Sequence, residues 1–336
     1  MSFDIWNRYY TGSKLKLVDW IDELIEEKCE GNSFCDLFAG TGIVTFKELN
    51  RFDHVIINDF LFSNNTIYHA FFQQEDYDME KLQNFINNST EKPIEEIEDN
   101  FLSINYGGKY FSHNDSKRIG DIRNYIEKNR DLFSHKEYCI LIASLIYSAD
   151  KVSNTVGHYD AYKKRKDLED KFVFKFIKPY TFKDKKIEIY RTDSNELAKQ
   201  IKCDVVYIDP PYNSRQYSRF YHVLETITKW DNPKLSGVAL KPPEENMSEY
   251  CKISAKKVFD DLISTLQCKY IIVSYNNTYD SKSKSSKNKI QYEEIINSLQ
   301  NIGELEVYSK KHKFFNAGKT DFKDHKEFLF ITKVTN

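Results

Sequence analysis

The sequence predicts a doubly wound α/β fold, with a seven-stranded sheet whose last strand is antiparallel and a long, mostly helical insertion. Two observations lead to this prediction. Short apolar runs alternate with helical patterns near both ends of the chain, which is typical of a mainly parallel sheet covered by helices. Residues 61–185 lack clear apolar strands. We therefore expect a sheet domain of residues 1–60 and 186–336, with residues 61–185 inserted into it as a second domain.

The strand-like runs differ between the two ends of the chain. Buried parallel strands read as apolar runs rather than as alternating ones, whereas the last two runs are expected to form an antiparallel pair. In chain order the runs are SFCDLF (33–38), HVIINDF (54–60), KIEIYR (186–191), DVVYID (204–209), CKYIIVSYNN (268–277), ELEVYSKKHK (304–313) and EFLFITKV (327–334).

Helices are predicted between these strands. Residues 14–25 and 254–266 carry apolar side chains at helical spacing, and this spacing gives one face to the core. Residues 43–50 follow a glycine-rich turn, and residues 194–201 form a short, capped helix. Within the insertion, residues 138–147 are apolar nearly all round, so this helix should be buried.

Composition excludes several classes of protein. The net charge of −2 gives no overall basic character, so a nucleic-acid ligand would require basic residues gathered on one face. The six cysteines form no C-x-x-C pair, and we expect no metal site. The N-terminus does not resemble a signal peptide, and no run approaches the roughly 18 apolar residues of a membrane span. We expect a cytoplasmic protein with reduced thiols and no membrane association.

A glycine turn follows the first strand, in the run from Asp36 through Phe38 to Gly40 and Gly42. Two glycines at this spacing allow a sharp turn and a close approach to a ligand. The turn alone is compatible with a nicotinamide, flavin or nucleotide ligand, with S-adenosylmethionine, or with no ligand. The third glycine of the dinucleotide fingerprint is replaced by Thr45, and no P-loop lysine is present.

An acidic residue, Asp59, closes the second strand. A carboxylate at this place can bind the two ribose hydroxyl groups of an adenosine. It can equally cap the next helix. Together with the missing third glycine, Asp59 favours an adenosine ligand without a pyrophosphate.

The most specific motif is Asp209-Pro210-Pro211-Tyr212, at the end of the fourth strand. Two prolines fix two φ angles and remove two N–H donors. The resulting loop is stiff, exposes oxygen acceptors and holds an aromatic ring beside a carboxylate. An ordinary turn rarely needs this combination.

These features suit methylation of an amine whose lone pair is delocalised into a ring, such as N6 of adenine. The Asp209 carboxylate and the Pro210 carbonyl can accept hydrogen bonds from the two amino protons. They would also stabilise the positive charge that develops as the methyl group arrives. Tyr212 can stack on the base, which helps to offset extrusion of that base from a duplex.

The motifs together resemble the DNA adenine methylase family, the alpha-type amino-methyltransferases. In that family F-x-G-x-G precedes D-P-P-Y and the recognition domain lies between them, as do Phe38-x-Gly40-x-Gly42, Asp209–Tyr212 and the insertion here. The resemblance covers residues 8–60 and 187–335. It implies a Rossmann-like methyltransferase fold that uses S-adenosyl-L-methionine to methylate adenine N6 in double-stranded DNA.

The resemblance also implies roles for individual residues. The opening motif from Tyr10 to Lys14 would line the methionine end of the cofactor pocket, and an acid near the cofactor adenine corresponds to Asp193. Catalysis would depend on Asp209, Pro210, Pro211 and Tyr212. The predicted cofactor-binding residues are Tyr10, Gly12, Lys14, Asp36, Phe38, Gly40, Gly42, Asp59, Asp193, Ser194 and Asp209.

Three segments are candidates for binding DNA, and one of them is the run of residues 213–221 after the D-P-P-Y motif. Residues 149–162 are dense in short polar and aromatic side chains, which suit base edges. From residue 163 to 186, ten Lys and Arg outnumber four acids, and such a cluster suits phosphates. A solvated helix face would give the same charge pattern, and the residues after the D-P-P-Y motif could simply cap the next helix. The candidate DNA-binding residues are Asn154, His158, Tyr159, Lys163, Lys164, Arg165, Arg215 and Tyr217. The resemblance implies that Asn213, Arg215, Tyr217 and Tyr221 rim the base pocket.

Several alternatives remain open from the sequence. The same fold and cofactor could serve an RNA adenine, a cytosine N4 or a protein glutamine, although RNA and glutamine enzymes that resemble this family usually carry Asn in place of Asp209. A silent DNA-binding module and a nicotinamide oxidoreductase would leave the D-P-P-Y loop unexplained. The resemblance further implies a modification enzyme, with a cognate restriction endonuclease as a potential partner that acts independently.

Overall fold

The computed structural model describes residues 2–165, 167–277, 288–311 and 326–335. The chain divides into two compact units. The sheet unit comprises Ser13–Phe60, Lys183–Tyr217 and Asn246–Asn336. The helical unit comprises Met1–Gly12, Leu61–Phe182 and Ser218–Glu245.

The described part of the sheet unit has seven strands and five helices, and these follow the sequence expectation closely. The strands are β1 Ser33–Asp36, β2 His54–Asn58, β3 Lys186–Tyr190, β4 Val205–Ile208, β5 Tyr270–Asn276, β6 Gly303–Lys311 and β7 Lys326–Val334. The helices are α1 Val18–Lys28, α2 Ile43–Glu48, α8 Ser194–Ala198, α11 Ala255–Thr265 and α12 Tyr292–Gln300. Helix α1 starts later than predicted, because residues 15–17 form a turn in which the Leu17 amide donates to the Lys14 carbonyl.

The strands form one sheet in the order β3-β2-β1-β4-β5-β7-β6. Strands β1 to β5 are parallel, and β7 runs antiparallel to both β5 and β6. The α/β prediction, including the antiparallel last strand, is confirmed. The connection order reverses at β1, which has β2 on one side and β4 on the other. In open α/β sheets, ligands bind at the carboxyl ends of the strands beside such a reversal.

The two faces of the sheet have different characters. On one face, alternate residues such as Cys35, Val206, Ile208 and Val273 join a continuous apolar core under α8, α11 and α12. Because strand side chains alternate in direction, the intervening residues belong to the opposite face. Near the carboxyl ends of β1, β4 and β5 these residues include Asp36, Tyr207 and Ser274, so polar groups collect there.

The helical unit contains six α-helices among the described residues. They are α3 Phe62–Phe72, α4 Met79–Thr90, α5 Phe101–Tyr106, α6 His113–Lys128, α7 His135–Val152 and α10 His222–Lys229, with the short α9 Tyr217–Phe220 after the Asp209–Tyr212 loop. The sequence analysis predicted a mostly helical insertion but located only the helix of residues 138–147, and residues 222–229 lie outside that insertion. Helix α7 is buried along most of its length, as its apolar sequence predicts. Ser134 and Glu137 form a capping box that begins this helix.

The compact units do not coincide with the predicted domain limits. Residues 2–12 and 218–245 belong to the helical unit, although the sequence placed them with the sheet. Phe3 forms a bridge with Ile177, and α10 packs against α3 and α7. These long-range contacts carry no local sequence signal. The assignment of residues 61–185 to target recognition stays a prediction.

Candidate active site

The predicted glycine turn lies between β1 and α2. Gly40 and Gly42 have φ angles of 54° and 75°, in the left-handed region that an L side chain adopts only with strain. The Gly42 amide donates to the Ala39 carbonyl at 2.7 Å and closes the turn. The turn therefore needs glycine at both positions, and it leaves the backbone free of side chains where a ligand would approach.

Asp59 holds this turn against the end of β2. Its carboxylate accepts a hydrogen bond from the Gly40 amide at 2.9 Å, and the Ala39 amide donates to the Asn58 carbonyl at 2.9 Å. Asp59 does not cap α3, whose N-cap residue is Leu61. The structure thus brings Asp59 and the glycine turn together, and ribose binding by Asp59 stays a prediction.

Asp36, at the end of β1, is buried beneath the turn. One carboxylate oxygen accepts from the Thr45 hydroxyl at 2.8 Å, and Oδ1 has no hydrogen-bond partner among the described residues. Burial, together with the negative charges of Asp209 and Asp59, raises the pKa of Asp36 to about 7, against the lowering effect of Thr45. An unpaired oxygen of this kind is a place where a ligand donor could bind.

Three strand ends are tied together by the Leu37 carbonyl, which follows β1. It accepts from the Asn58 side chain at 3.1 Å and from the Ser194 hydroxyl at 3.0 Å. Asn58 also bonds both backbone groups of Thr192, after β3. The predicted residue Ser194 therefore lies at the turn, and Asn58 is a structural contributor that the sequence analysis missed. Its only sequence signal is an amide at the end of an apolar strand.

The neighbouring predicted residues are also fixed. Asp193 caps α8 by accepting from the Asn195 and Glu196 amides at 2.9 and 3.4 Å. The Phe38 ring meets the Tyr250 ring edge-on at 5.1 Å. Tyr250 in turn donates to the Asn195 side chain at 2.8 Å. Asp193, which was expected near a cofactor adenine, and Phe38 are thus linked through Asn195 and Tyr250.

The Asp209–Tyr212 loop follows β4, the strand beside β1. The Tyr212 hydroxyl group hydrogen-bonds the Asp209 carboxylate and lies 2.5 Å from the Ser274 carbonyl. The Tyr212 ring packs edge-on against Tyr275 at 5.1 Å. Burial and the nearby charge of Asp209 hold the pKa of Tyr212 well above its ordinary value, so its hydroxyl group stays a donor. These contacts fix the carboxylate and the aromatic ring as one unit.

Lys14 forms an ion pair with the Asp209–Tyr212 loop. Its Nζ lies 2.6 Å from Asp209 Oδ2 and 5.7 Å from the centre of the Tyr212 ring. The residue is only 5% exposed. Burial favours the neutral amine, yet the carboxylates of Asp209, Glu327 and Asp36 together raise the pKa of Lys14. Lys14 therefore remains an ammonium group that holds the orientation of Asp209.

Two further polar groups complete the cluster. The Glu327 Oε2 atom on β7 and the Tyr207 hydroxyl on β4 are buried and have no hydrogen-bond partner among the described residues. Burial raises the pKa of Glu327 to about 7, an effect that Lys14 opposes and Asp209 reinforces. Sequence reasoning missed both residues, since each sits within an apolar strand pattern.

Comparison with known protein families covers the glycine turn and the Asp209–Tyr212 loop but not Glu327. Residues 10–290 match the family model of the D12 class N6 adenine-specific DNA methyltransferases. The chain belongs to this family. The matched residues include the opening motif, the glycine turn and the Asp209–Tyr212 loop. The chain is therefore an adenine-specific DNA methyltransferase, an enzyme that requires a methyl donor.

Curated relatives of the D12 methyltransferase agree with this assignment. The chain is 31% identical to the type II methyltransferase M.NlaIII of Neisseria lactamica, over 97% of this chain and 99% of the relative. It is 32% identical to the type II methyltransferase M.CviAII of Paramecium bursaria Chlorella virus 1, over 97% and 98%. The modification methylase LlaI of Lactococcus lactis subsp. lactis is 32% identical over 80% of this chain and 46% of the relative.

The segment that follows the Asp209–Tyr212 loop is held by hydrogen bonds to the backbone. The Asn213 side chain accepts from the Arg215 amide at 3.0 Å. Gln216 forms two hydrogen bonds with the backbone of Ser248, at 2.9 and 2.7 Å. Arg215 is exposed and Tyr217 is half-buried, so both are compatible with contacts to DNA. Gln216 was not predicted, and it fixes the base of the segment that carries them.

Two of the predicted DNA-binding residues are buried inside the helical unit. The Asn154 side chain donates to the carbonyls of Lys109 and Lys163, both at 2.8 Å. Tyr159 is 1% exposed and donates to Asp150 at 2.9 Å. The Asn154 amide nitrogen thus holds backbone carbonyls and the Tyr159 hydroxyl holds a carboxylate of α7, while Asn154 Oδ1 is buried without a partner among the described residues. Both side chains are buried, and the DNA-binding roles of Asn154 and Tyr159 stay predictions.

The other candidates in this segment are accessible. His158 is half-buried and stacks on Phe220 with ring centres 4.5 Å apart. Lys163, Lys164 and Arg165 are exposed, and Lys166 lies outside the described residues. The Asn154 bond to the Lys163 carbonyl anchors the start of this basic stretch.

Tyr10, Gly12 and Tyr221 belong to the helical unit. The Tyr10 and Tyr221 rings stack at 4.6 Å, and the Arg8 guanidinium lies 5.1 and 5.5 Å from their centres. The Tyr221 hydroxyl accepts from the Thr11 amide at 2.7 Å. Gly12 has a φ of 82°. Their predicted roles at the cofactor and the base are not tested.

Other features of the described residues set limits on the site. No helix among them is long and apolar enough to cross a membrane. No group of three or more His, Cys, Asp or Glu in the part of the chain that the structure describes is placed to hold a metal ion. All six cysteines are free thiols. The cytoplasmic location stays a prediction.

Proposed function

We propose that this D12 enzyme transfers the methyl group of S-adenosyl-L-methionine to N6 of an adenine flipped out of double-stranded DNA. We further propose that it is the modification enzyme of a type II restriction-modification system. The observation that carries the proposal is the position of the Asp209–Tyr212 loop. It follows β4, directly beside the glycine turn that follows β1.

The chemistry of the residues at the end of β1 fits the cofactor. The glycine turn exposes backbone, Asp36 Oδ1 is buried without a partner, and Asp59 is held at the edge of the turn. Asp59 is suited to the ribose hydroxyls, and Phe38 and Ser194 to the adenine side. When bound, the cofactor supplies a methyl group activated by its sulfonium.

The chain's own residues would prepare the acceptor. Asp209 and the Pro210 carbonyl accept hydrogen bonds from the two amino protons and draw the nitrogen towards tetrahedral geometry. The Lys14 ammonium group lies 2.6 Å from Asp209 Oδ2 and fixes the orientation of this carboxylate. The acceptors act on charge that appears only in the transition state, where preorganised groups contribute most. Alignment of two bound reactants can supply a further 7–11 kcal/mol, roughly.

Contacts with DNA would come from exposed basic and aromatic residues. We assign phosphate contacts to Lys163, Lys164 and Arg165, and contacts beside the extruded base to Arg215 and Tyr217. Each neutralised phosphate releases counterions, which makes such binding dependent on salt. The inserted helices of residues 61–185 would hold this surface as a target recognition domain.

The acceptor class can be tested directly. Purified enzyme is incubated with cofactor labelled in its methyl group and with separate pools of duplex DNA, RNA and protein. We expect label in DNA, recovered as N6-methyladenine. Label only in RNA or protein, or as N4-methylcytosine, would refute the proposal.

The mechanism is tested by Asp209→Ala and Asp209→Asn. Both variants should lose transfer while cofactor binding, measured by calorimetry, stays largely intact. Asp209→Asn retains a side-chain oxygen and avoids a cavity. Asp19→Asn, at an exposed carboxylate paired with Lys47, serves as the control and should keep full activity. Unchanged turnover in either Asp209 variant would exclude the assigned role.

The proposed restriction partner has its own test. Single-molecule sequencing of DNA methylated by the purified enzyme should reveal methyladenine within one short sequence. A cognate endonuclease would cut that sequence only when it is unmethylated. Methylation spread over unrelated sequences would exclude a type II modification enzyme.

A further inference from the structure

Glu327 is a buried carboxylate that the proposed reaction leaves without a role. It is 7% exposed, and its Oε2 atom has no hydrogen-bond partner among the described residues. An unsatisfied carboxylate is unfavourable in an apolar interior unless a nearby charge compensates it. Its position near the start of β7 therefore calls for a compensating charge or a function.

The strand register places Glu327 beside β5, the strand that the Tyr212 hydroxyl group contacts. Glu327 is opposite Asn276 on β5, and Leu329 is opposite Ser274. Ser274 carries the carbonyl oxygen bonded to Tyr212. Because paired residues share a face, Glu327 points to the side that also carries Asp36 and Tyr207.

The charges around the loop show what Glu327 could contribute. Lys14 and Asp209 form a close ion pair, so together they present no net charge. An amine that gains a methyl group becomes positive in the transition state, and a neutral pair stabilises it poorly. A second carboxylate acting on this pair would restore a negative field. Glu327 and Asp36 are both carboxylates whose charges act on Lys14 and Asp209. Of the two, Asp36 lies at the glycine turn and is assigned to the cofactor, which leaves Glu327 for this role.

We propose that Glu327 is a positioning residue for methyl transfer, whose carboxylate offsets the Lys14 ammonium and leaves Asp209 free to act on the substrate amine. This inference rests on the proposed function, since it needs Asp209 as the acceptor of the amino protons. It predicts that the rate depends on the ionisation of Glu327.

The described charged groups around Glu327 come from several elements. Lys14 precedes α1, Asp209 and the Tyr212 phenol follow β4, and Tyr207 lies on β4. Lys310 on β6 is in register with Glu327, and its ammonium group lies over the Trp20 ring at 5.7 Å. Burial raises the pKa of Glu327 to about 7, with Lys14 opposing the rise and Asp209 adding to it. The transfer rate should therefore increase as the pH rises through 7.

The test compares Glu327→Gln and Glu327→Asp with the wild type. Single-turnover rates are measured with saturating duplex DNA and S-adenosylmethionine between about pH 6 and 8.5. At pH 8 we expect Glu327→Gln to be about tenfold slower, the effect of one charge acting at reduced dielectric. Its rate should also lose the rise near pH 7. Glu327→Asp should recover most of the rate and keep a rise with pH.

Glu48→Gln is the matched control. Glu48 is also a buried glutamate of the sheet unit, with a pKa raised to about 8, but it belongs to α2 and pairs with Arg51. We expect this variant to keep the wild-type rate and profile. Calorimetry should give cofactor dissociation constants within about threefold for all variants.

Three results would overturn the inference. A Glu327→Gln enzyme with the wild-type rate would exclude any role. A slower enzyme with an unchanged pH profile would indicate a packing effect and assign the ionisation elsewhere, Asp36 included. A Glu327→Asp enzyme no faster than Glu327→Gln would exclude the carboxylate as the cause. Failure of the proposed function is distinct, since the wild type would then place no methyl group on adenine.

Discussion

The ion pair between Lys14 and Asp209 offers a quantitative test of the site. Its atoms are 2.6 Å apart, and the two side chains are only 6% and 16% exposed. Removing one member of a buried pair usually costs about 3–5 kcal/mol, because the other charge stays buried without compensation. Glu327 partly compensates Lys14, so we expect Asp209→Asn to lose about 3 kcal/mol of unfolding free energy, at the low end of this range.

The complementary variant, Lys14→Met, keeps the length of the side chain and removes its charge. Asp209 would retain the Tyr212 hydrogen bond and some exposure to solvent, so we expect a loss of about 2 kcal/mol. The double variant, Lys14→Met/Asp209→Asn, removes both charges, so neither is left buried without its partner. It should lose about 3 kcal/mol in total, which corresponds to a coupling of about 2 kcal/mol between the two sites.

Urea unfolding followed by circular dichroism would supply these free energies. The pair Lys199–Glu196, at 2.7 Å with side chains 51% and 59% exposed, provides a control cycle. Its coupling should be below about 0.5 kcal/mol, as for other exposed pairs. If the Lys14 and Asp209 losses add to within about 0.5 kcal/mol, the charge compensation inferred for this site is wrong.

Two further predictions concern stability and DNA. Burial, with the charge of Asp22, raises the pKa of Glu48 to about 8, although Arg51 lowers it. Ionising Glu48 in the folded state is therefore unfavourable, and the stability of the wild type should fall as the pH rises from about 5 to 8. Glu48→Gln should remove this loss, and its stability advantage in urea unfolding should grow by up to about 1.4 kcal/mol per pH unit; an advantage that does not vary with pH would contradict the burial argument. Lys163→Gln/Lys164→Gln should weaken binding to all duplexes alike and reduce the slope of log K against log salt by about 2. The control is the double variant Lys92→Gln/Lys128→Gln, which removes two positive charges from exposed residues of the same unit and should leave the slope unchanged. Equal effects of the two double variants would refute a specific phosphate-binding surface.

The sequence predicted those parts of the fold and site that depend on local pattern. Apolar strand runs, the glycine turn and the D-P-P-Y loop all lie where expected, because turn chemistry and strand burial are written into neighbouring residues. Asp59 and Ser194 are brought to the same turn as Gly40. This convergence follows from parallel strands, whose carboxyl ends meet at one edge of the sheet.

The parts that the sequence did not predict depend on contacts between distant segments. Lys14 and Asp209 were both expected at the cofactor, but the ion pair between them was not predicted. Glu327 and Asn58 lie within apolar runs and become significant only through strand register and shared acceptors. The polar segment that contains Asn154 and Tyr159 appeared suited to base edges, and the sequence did not show that these two side chains bond backbone carbonyls and Asp150. Polarity alone does not distinguish a recognition surface from an internal hydrogen-bond network.

The order of strands in the sheet has a consequence for biosynthesis. Strand β7 is inserted between β5 and β6, although it follows both in the chain. While the protein is being made, β5 exposes an unpaired edge until β7 emerges from the ribosome, and exposed edges favour association with other chains. Glu327 arrives with that same strand. The nascent enzyme would therefore add the Glu327 carboxylate to its proposed active site and complete its sheet in one late step. A C-terminal truncation that removes β7 should yield an inactive chain that tends to aggregate.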